Sequence, residues 1–411
     1  MTSPVPAILP RRGGVVLEPA EARERWVRRR VGLAWGLLIL NILTFYPGMT
    51  VVPIPTIVGK AITQGALPAA LLVAVSVNRR LIVRPNVYLC LMSLLVIEAL
   101  MTTMDAQFLV SSTYRTFRFV EFVAALWLLS PWWGREDLLF VRGYLAMMYA
   151  VLGSVLLGQL VAPGRADGFG GRLTGVIWPV PPTQVAHYAA VPLGITIVLW
   201  LCGLVRRRFA LISVSILGPI LILTHTRTAL IGMAAGVLVA SLSLFVAKAR
   251  VRNVFVTAGV LVSLGAITLS SVWTTWLTRG ENAKELTSLT GRTPVWQAVL
   301  SAPRDWFGVA FGSGLTNDSF SGLAIDSNWL AAYSDQGLIG VAIIGAMVLF
   351  VFVAAYFQPP GVRRALPLFL ATYCLVASFT ETGLSQPSSY LLELTLAASL
   401  LVPSVADRAL A

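Results

Sequence analysis

The sequence predicts an all-α integral membrane protein with about 12 transmembrane helices. Of its 411 residues, 57% are hydrophobic and 12% are charged, and the mean hydropathy is +0.79. Apolar runs of roughly 17 to 25 residues, the length that crosses a bilayer core, recur along the chain. Short basic clusters separate many of these runs. A soluble domain of this length does not have this composition, so the soluble class is excluded.

The predicted spans follow the apolar runs in chain order. They cover about 31–48, 57–77, 86–103, 112–130, 137–158, 185–204, 209–224, 227–247, 253–271, 337–357, 366–380 and 388–403. The run from Val31 is long and no small-residue cleavage site follows it, so we interpret it as an uncleaved span rather than a signal peptide. We therefore expect a basic N-terminal tail over 1–30, one polytopic domain over 31–403 and a C-terminal tail over 404–411.

The charges between the spans predict their orientation. With the N-terminus in the cytoplasm, the even-numbered connections are cytoplasmic, and these connections are the basic ones. Their basic residues are Arg79, Arg80, Arg84, Arg135, Arg206, Arg207, Arg208, Lys248, Arg250, Arg252, Arg363 and Arg364. The opposite frame would put nearly every basic cluster outside, so we expect both ends to be cytoplasmic. The net charge of +13 is then a topology signal with contact to anionic lipids, and no nucleic-acid partner is predicted.

Two of the external connections are long. One covers 161–184 and is rich in Gly and Pro; the other covers 272–336, between spans 9 and 10, and is long enough for short helices of its own. Irregular segments of this kind among membrane spans are where recognition or chemistry is expected. The three cysteines lie in apolar runs without metal-ligand spacing, so neither a metal site nor a disulfide framework is predicted.

Three arginines lie in the predicted external segments, where Arg is normally depleted. Arg172 stands between glycines that let backbone approach a ligand, or it is a solvated loop arginine. Arg227 opens a predicted helix and either extends to the lipid headgroups or, because this end of a helix is unfavourable for a cation, binds an anion there. Arg292 precedes a stretch with Val295 and Trp296 that predicts a short amphipathic helix along the outer face. Together they suggest an anionic ligand.

Other polar residues allow two interpretations each. Asp326 is either a general base at the outer edge of the membrane or a helix N-cap or salt-bridge partner. His225 is an alternative base, a stabiliser of its turn or a phosphate contact. His187, at the start of a span, is interpreted as structural. Arg118 in the fourth span, together with Glu121, is either functional or a structural pair.

The order of these motifs resembles the O-antigen ligase and Wzy-type O-antigen polymerase superfamily. The resemblance covers roughly residues 160 to 345 by motif, and the whole chain by span number and large late external loop. It is carried by Gly171-Arg172-Leu173-Thr174-Gly175, Thr226-Arg227-Thr228-Ala229, Gly291-Arg292-Thr293 with Trp296, Phe311-Gly312-Ser313-Gly314, and Asp326 with Leu330 and Gly337-Leu338-Ile339-Gly340. Each motif is weak alone, whereas their order, spacing and common side of the membrane are more specific.

The resemblance implies a polytopic glycosyltransferase of the bacterial cytoplasmic membrane whose site faces outward. Such enzymes move a glycan from a polyprenyl diphosphate carrier to an acceptor hydroxyl on a glycan, lipid or wall polymer, without a nucleotide sugar, metal or other cofactor. It implies that Asp326, Arg227 and Arg292 are catalytic. The expected contacts to diphosphate or glycan are Arg172, Arg227, Arg292, His225, Arg118 and Trp296. Many ligases of the family carry His where this chain has Asp326, and ligation and polymerisation share the same chemistry.

Three other functions compete with this one. A transporter or flippase of lipid-linked sugars would place charges along a path through both halves of the protein, whereas these charges lie at one face. A non-catalytic scaffold of an envelope assembly would share the fold without turnover. The other multi-span class of polyprenyl-linked glycosyltransferases has acidic residues in its first external loop, and this chain has none over 46–55.

Overall fold

A computed structural model gives the architecture of the protein. The structure describes residues 19–48, 50–51, 54–104, 106, 108–135, 137–268, 271, 276, 292–316 and 319–403. The tail 404–411, Gly291 and most of 272–291 lie outside the described residues.

The described chain is mostly helical. The helices before residue 270 are α1 Pro19–Ile42, α2 Thr56–Val77, α3 Val87–Thr103, α4 Leu109–Leu129, α5 Leu139–Val161, α6 Pro163–Ala166, α7 Pro182–Leu201, α8 Arg207–Leu223, α9 Arg227–Leu244 and α10 Ala249–Thr268. The later elements are α11 Arg292–Ser301, α12 Trp306–Phe311, the antiparallel strands β1 Ser319–Phe320 and β2 Leu323–Ala324, α13 Asn328–Tyr356, α14 Val362–Ala377 and α15 Ser389–Leu401.

Within the described residues, five helices are long and apolar enough to cross a membrane: α2, α5, α7, α9 and α13. The helices α3 and α15 are apolar but shorter. These helices are compatible with a membrane protein, and every predicted span overlaps a helix. The number of crossings, about 12, and the cytoplasmic position of both ends stay predictions.

The core is built around α7, α14 and α15. Phe369 of α14 packs against two glycines, because a Cβ atom at Gly194 of α7 would lie 2.0 Å from its ring and one at Gly236 of α9 would lie 2.8 Å from it. Only glycine permits such a close approach of helix backbone to a ring. The fit draws α14 against α7 and α9, and it brings the outer ends of α9 and α14 together.

Two helices begin earlier than the sequence predicts. The helix α1 begins at Pro19, so part of the predicted N-terminal tail is helical. The helix α13 begins at Asn328 and not at 337, and it is broken at Gly337, where φ is 62° and ψ is −163°. A Cβ atom at 337 would lie 2.4 Å from the backbone of Ala310, so a glycine is required at this approach to α12. The second long connection therefore ends at Ser327, before its predicted limit of 336.

The part of that connection between 292 and 327 forms a small outer layer. It contains α11, α12 and the β1–β2 hairpin. Val295 and Val299 of α11 are buried with Ile325 and Ala331 in an apolar cluster of their own. The prediction of a short amphipathic helix after Arg292 is confirmed, although Leu300, which the apolar pattern included, is exposed.

Candidate functional site

The glycine-rich loop after α6 is joined to the turn between α8 and α9 by its arginine. Arg172 Nε donates a hydrogen bond to the carbonyl oxygen of Thr224 at 2.8 Å, and its Nη2 donates to Thr226 Oγ1 at 3.1 Å. The turn residues Thr224 and Thr226 are buried. The first and second predicted motifs are therefore neighbours in space, and Arg172 lies beside the turn that carries His225 and Arg227.

The same turn holds His225 in a constrained conformation. Its φ is 49°, in the left-handed region that non-glycine residues adopt uncommonly. Its ring stacks on the ring of Trp276, with centroids 5.9 Å apart and planes at 26°. A stacked ring and a strained backbone fit the interpretation of His225 as a stabiliser of the turn better than the interpretation as a base.

The start of α9 packs on the turn that follows α14. Thr228 Oγ1 and Thr380 Oγ1 are 2.8 Å apart and share a hydrogen bond. Arg227 and Glu381 are the respective chain neighbours of these two threonines. This contact joins the second motif to the turn that carries the carboxylate of Glu381.

The start of α13 is tied to the same turn by a buried asparagine. The backbone N–H of Asn328 donates to the carbonyl oxygen of Ser378 at 2.9 Å, and Asn328 Oδ1 accepts from the N–H groups of Gly383 at 3.2 Å and Leu384 at 2.7 Å. Because these bonds hold Asn328, they also hold Asp326 two residues earlier. Asn328 was not predicted as a site residue. The one feature of the sequence that could have indicated it is its position two residues after the candidate catalytic carboxylate of Asp326.

Asp326 forms an ion pair with Arg292. Arg292 Nε lies 3.2 Å from Asp326 Oδ2, and the two side chains are 26% and 47% exposed. The interpretation of Asp326 as an N-cap is wrong, since Ser327 occupies that position. The salt-bridge interpretation is confirmed, and at this exposure the pair contributes little to stability. An incoming anion can therefore reach Arg292 and replace Asp326 as its partner at small cost.

The charges of groups from four other segments act on Glu381. Burial raises the pKa of Glu381 to about 7, the Arg292 cation opposes this rise, and the negative charge of Asp326 adds to it; His187 and Arg172 oppose it more weakly. In turn, burial lowers the pKa of the Arg172 guanidinium and the charge of Glu381 opposes that shift. Glu381 is therefore electrostatically coupled to the loop after α6, the start of α7, the start of α11 and the residue before the N-cap of α13.

A second, fully buried polar cluster lies in the helices beneath. His187 Nδ1 is 2.9 Å from the hydroxyl of Tyr373, and His187 Nε2 is 2.8 Å from Glu393 Oε1. The hydroxyl of Tyr144 also donates to Glu393 Oε1. The imidazole therefore has partners on both nitrogens, which agrees with its interpretation as structural. Glu393 was not predicted from the sequence, although a single acidic residue inside an apolar span often marks a functional or structural site.

Arg118 lies apart from these residues. It stands over the ring of Tyr114, 5.8 Å from its centroid, and it interacts electrostatically with Arg115 and Glu121 of the same helix. Its neighbour Arg115 is the one that reaches the turn after α14, where its Nη1 donates to Gln386 Oε1 at 3.4 Å. A functional role is therefore better placed on Arg115 than on Arg118.

Trp296 lies one helical turn after Arg292 on α11 and is partly exposed. Its indole N–H is buried and has no hydrogen-bond partner among the described residues. A buried donor of this kind is usually satisfied by protein, water or a ligand. Trp296 is thus near the site and able to donate to an oxygen atom there.

No protein-family model matches the chain, and no curated protein matches it. The resemblance therefore rests on the sequence motifs alone.

Proposed function

We propose that the protein is a membrane glycosyltransferase that moves a glycan from a polyprenyl diphosphate carrier to an acceptor hydroxyl. The observation that carries the proposal is a set of contacts: Arg172 is hydrogen-bonded to the turn of Arg227, and Arg292 pairs with Asp326. A hydrogen bond between Thr228 and Thr380 joins the turn of Arg227 to the turn that carries Glu381, on which the charges of Arg292, Asp326 and Arg172 act. Guanidinium groups from several loops suit a diphosphate, because each can donate two parallel hydrogen bonds to its oxygens.

The proposed reaction is a single displacement at the anomeric carbon. The oxygen of the acceptor hydroxyl forms the new bond to that carbon, and the bond from carbon to the diphosphate oxygen breaks. The electron pair stays on polyprenyl diphosphate, whose growing negative charge is stabilised by Arg172, Arg227 and Arg292. The acceptor proton moves to a carboxylate. One displacement inverts the anomeric configuration, and a diphosphate needs no general acid to leave.

Two carboxylates compete for the role of base, and we assign it to Asp326. It is the more exposed of the two and so the more accessible to an acceptor, and Arg292 releases it on turning to the diphosphate. Glu381 is less exposed and surrounded by the cations, so it holds them in position. His225 is stacked on Trp276 and is assigned to the turn.

The proposal includes a location. The protein lies in the cytoplasmic membrane of a bacterium with about 12 spans, its site faces outward, and its acceptor is a glycan, a lipid or a wall polymer. The basic connections on one side of the predicted topology support this orientation.

The test is transfer by the purified protein in lipid nanodiscs, supplied with lipid-linked glycans of the host. Mass analysis of the products separates a ladder, which means polymerisation, from a single addition, which means ligation. We expect Arg227→Ala and Arg292→Ala each to lower kcat for transfer by roughly 10²–10³-fold without changing insertion or unfolding. Arg165→Gln is the matched control, because Arg165 lies on the same outer side, donates to the carbonyl oxygen of Thr50 at 3.2 Å and is not part of the cluster. Wild-type turnover by either alanine variant would overturn the proposal.

A further inference from the structure

A second concave region opens beside the outer layer. It is a cleft of about 1110 Å³ between the start of α4, the segment 302–308 and the segments 312–316 and 319–322. Hydroxyl groups dominate its polar lining. They belong to Ser111, Ser112, Ser313, Thr316, Ser319, Ser321 and Ser334.

The two charged side chains in the lining are already engaged by the protein. Arg304 Nη1 donates to the carbonyl oxygen of Tyr333 at 2.9 Å, and its guanidinium lies 4.6 Å from the centroid of that ring. Asp305 Oδ1 accepts from the N–H of Gly308 at 2.8 Å. The cleft thus offers a ligand neutral hydroxyl groups, in contrast to the arginine cluster. Two of these hydroxyls already donate within the protein, Ser313 to the carbonyl oxygen of Ser334 and Thr316 to Asp335 Oδ1.

The buried hydroxyl group of Ser112 indicates that the cleft binds a ligand. The residue is 1% exposed, yet its Oγ has no hydrogen-bond partner among the described residues. This oxygen lies beside the backbone of Gly314, since a Cβ atom there would be 3.1 Å from it. A buried hydroxyl without a partner calls for an explanation, and a polar ligand supplies one.

Aromatic rings complete the lining. Phe108 is 66% exposed in the open part, and Phe307 and Phe320 also face the cleft as lining residues. Neutral hydroxyls beside accessible rings suit a molecule with hydroxyl groups at its edges and apolar C–H faces. A neutral saccharide has that chemistry, whereas a phosphate or a lipid tail does not.

The outer layer links this cleft to the arginine cluster. Arg292 is the first residue of α11, and the residues that follow Ser301 at its other end line the cleft. At 1.5 Å per residue the helix separates the two by about 15 Å. The hairpin makes the same connection, because β1 lies in the lining and β2 leads to Asp326.

We propose that this cleft binds the uncharged sugar residues of a glycan substrate, about 15 Å from the transferred bond. The inference rests on the proposed function only in naming that glycan as the substrate. The cleft would select substrates by the structure of their glycan chain. The arginines bind the diphosphate, which is the same whatever sugar is attached to it.

Binding of the free glycan tests the inference separately from turnover. The probe is the oligosaccharide released by mild acid from the host's lipid-linked glycans, and calorimetry measures its affinity for the full chain in nanodiscs. Ser111→Trp fills the cleft from an exposed position, whereas Thr113→Trp adds the same bulk elsewhere on α4, since Thr113 is exposed and not in the lining. We expect Ser111→Trp to weaken binding at least tenfold, which is about 1.4 kcal/mol, and Thr113→Trp to bind as wild type.

Inorganic pyrophosphate serves as the folding control. It should bind Ser111→Trp and wild type equally, and Arg292→Ala should lose it while keeping the oligosaccharide. Wild-type oligosaccharide affinity in Ser111→Trp, or no oligosaccharide binding to the wild type, would overturn the inference. Loss of binding in Ser111→Trp together with an absence of any transfer activity would support the cleft and count against the proposed function alone.

Discussion

Two clusters of ionisable side chains in this protein lie in different surroundings. At the outer face, Arg292 and Asp326 are 26% and 47% exposed and 3.2 Å apart. Beneath them, His187 and Glu393 are 1% and 0% exposed and 2.8 Å apart. An exposed pair gains little from its partner and can exchange it for a ligand, whereas a buried pair has no alternative to its partner. Burial therefore separates the residues that we propose to act on the substrate from those that hold the helices together.

The largest effect is expected in the buried cluster. Glu393→Ala leaves His187 and the hydroxyl of Tyr144 without their acceptor in the protein interior, which should cost about 3–5 kcal/mol of unfolding free energy. Thermal unfolding of the purified protein measures it, and Glu393→Gln should recover part of the loss because an amide oxygen still accepts. A melting temperature of Glu393→Ala equal to that of the wild type would show that the buried cluster does not stabilise the fold more than the exposed pair does.

The next effect is on turnover at the outer face. Arg292→Ala should lower kcat by roughly 10²–10³-fold, the usual cost of removing one donor to developing negative charge. The melting temperature should stay near that of the wild type, since the pair it breaks is exposed. Arg165→Gln provides the matched control, and an unstable but active Arg292→Ala would reverse the assignment of the two clusters.

The roles of the two outer carboxylates separate by pH. Burial raises the pKa of Glu381 from 4.5 to about 7. Between these two pH values the carboxyl group keeps its proton in the folded protein and loses it in the unfolded chain. The contribution of this group to stability therefore falls as pH rises from about 4.5 to 7, and Glu381→Gln should remove that fall. Unfolding temperatures at pH 5 and pH 8 measure the difference between the variant and the wild type.

Turnover completes that test. Asp326→Asn should abolish transfer at every pH, whereas Glu381→Gln should remain active, with less dependence on pH around 7. The reverse pattern, an active Asp326→Asn and an inactive Glu381→Gln, would move the base to Glu381.

The smallest effect concerns the exposed pair itself. A double-mutant cycle on Arg292→Gln and Asp326→Asn should give a coupling below about 1 kcal/mol in unfolding free energy. A coupling of several kcal/mol would mean that the pair is structural and that an anion does not readily displace Asp326.

Much of the fold and part of the site follow from sequence reasoning. Apolar runs predict where helices form because a helix satisfies its own backbone, whatever surrounds it. The arginines stood out because they interrupt a charge pattern. Glu381, Asn328 and Glu393 were missed or left undecided, because a single polar residue in a turn or an apolar run has the same local pattern whether it is central to a site or beside it.

The amino-acid sequence by itself determined the helical class, the position of the helices along the chain and the three arginines that deviate from the charge pattern, since each depends on local composition and spacing. Only the tertiary structure decided that Arg172 bonds to the turn of Arg227, that Asp326 pairs with Arg292 and that Glu381 lies among them. Those relations join residues far apart in the chain, and they arise from close packing, such as the fit of Phe369 against Gly194 and Gly236, which no local pattern encodes.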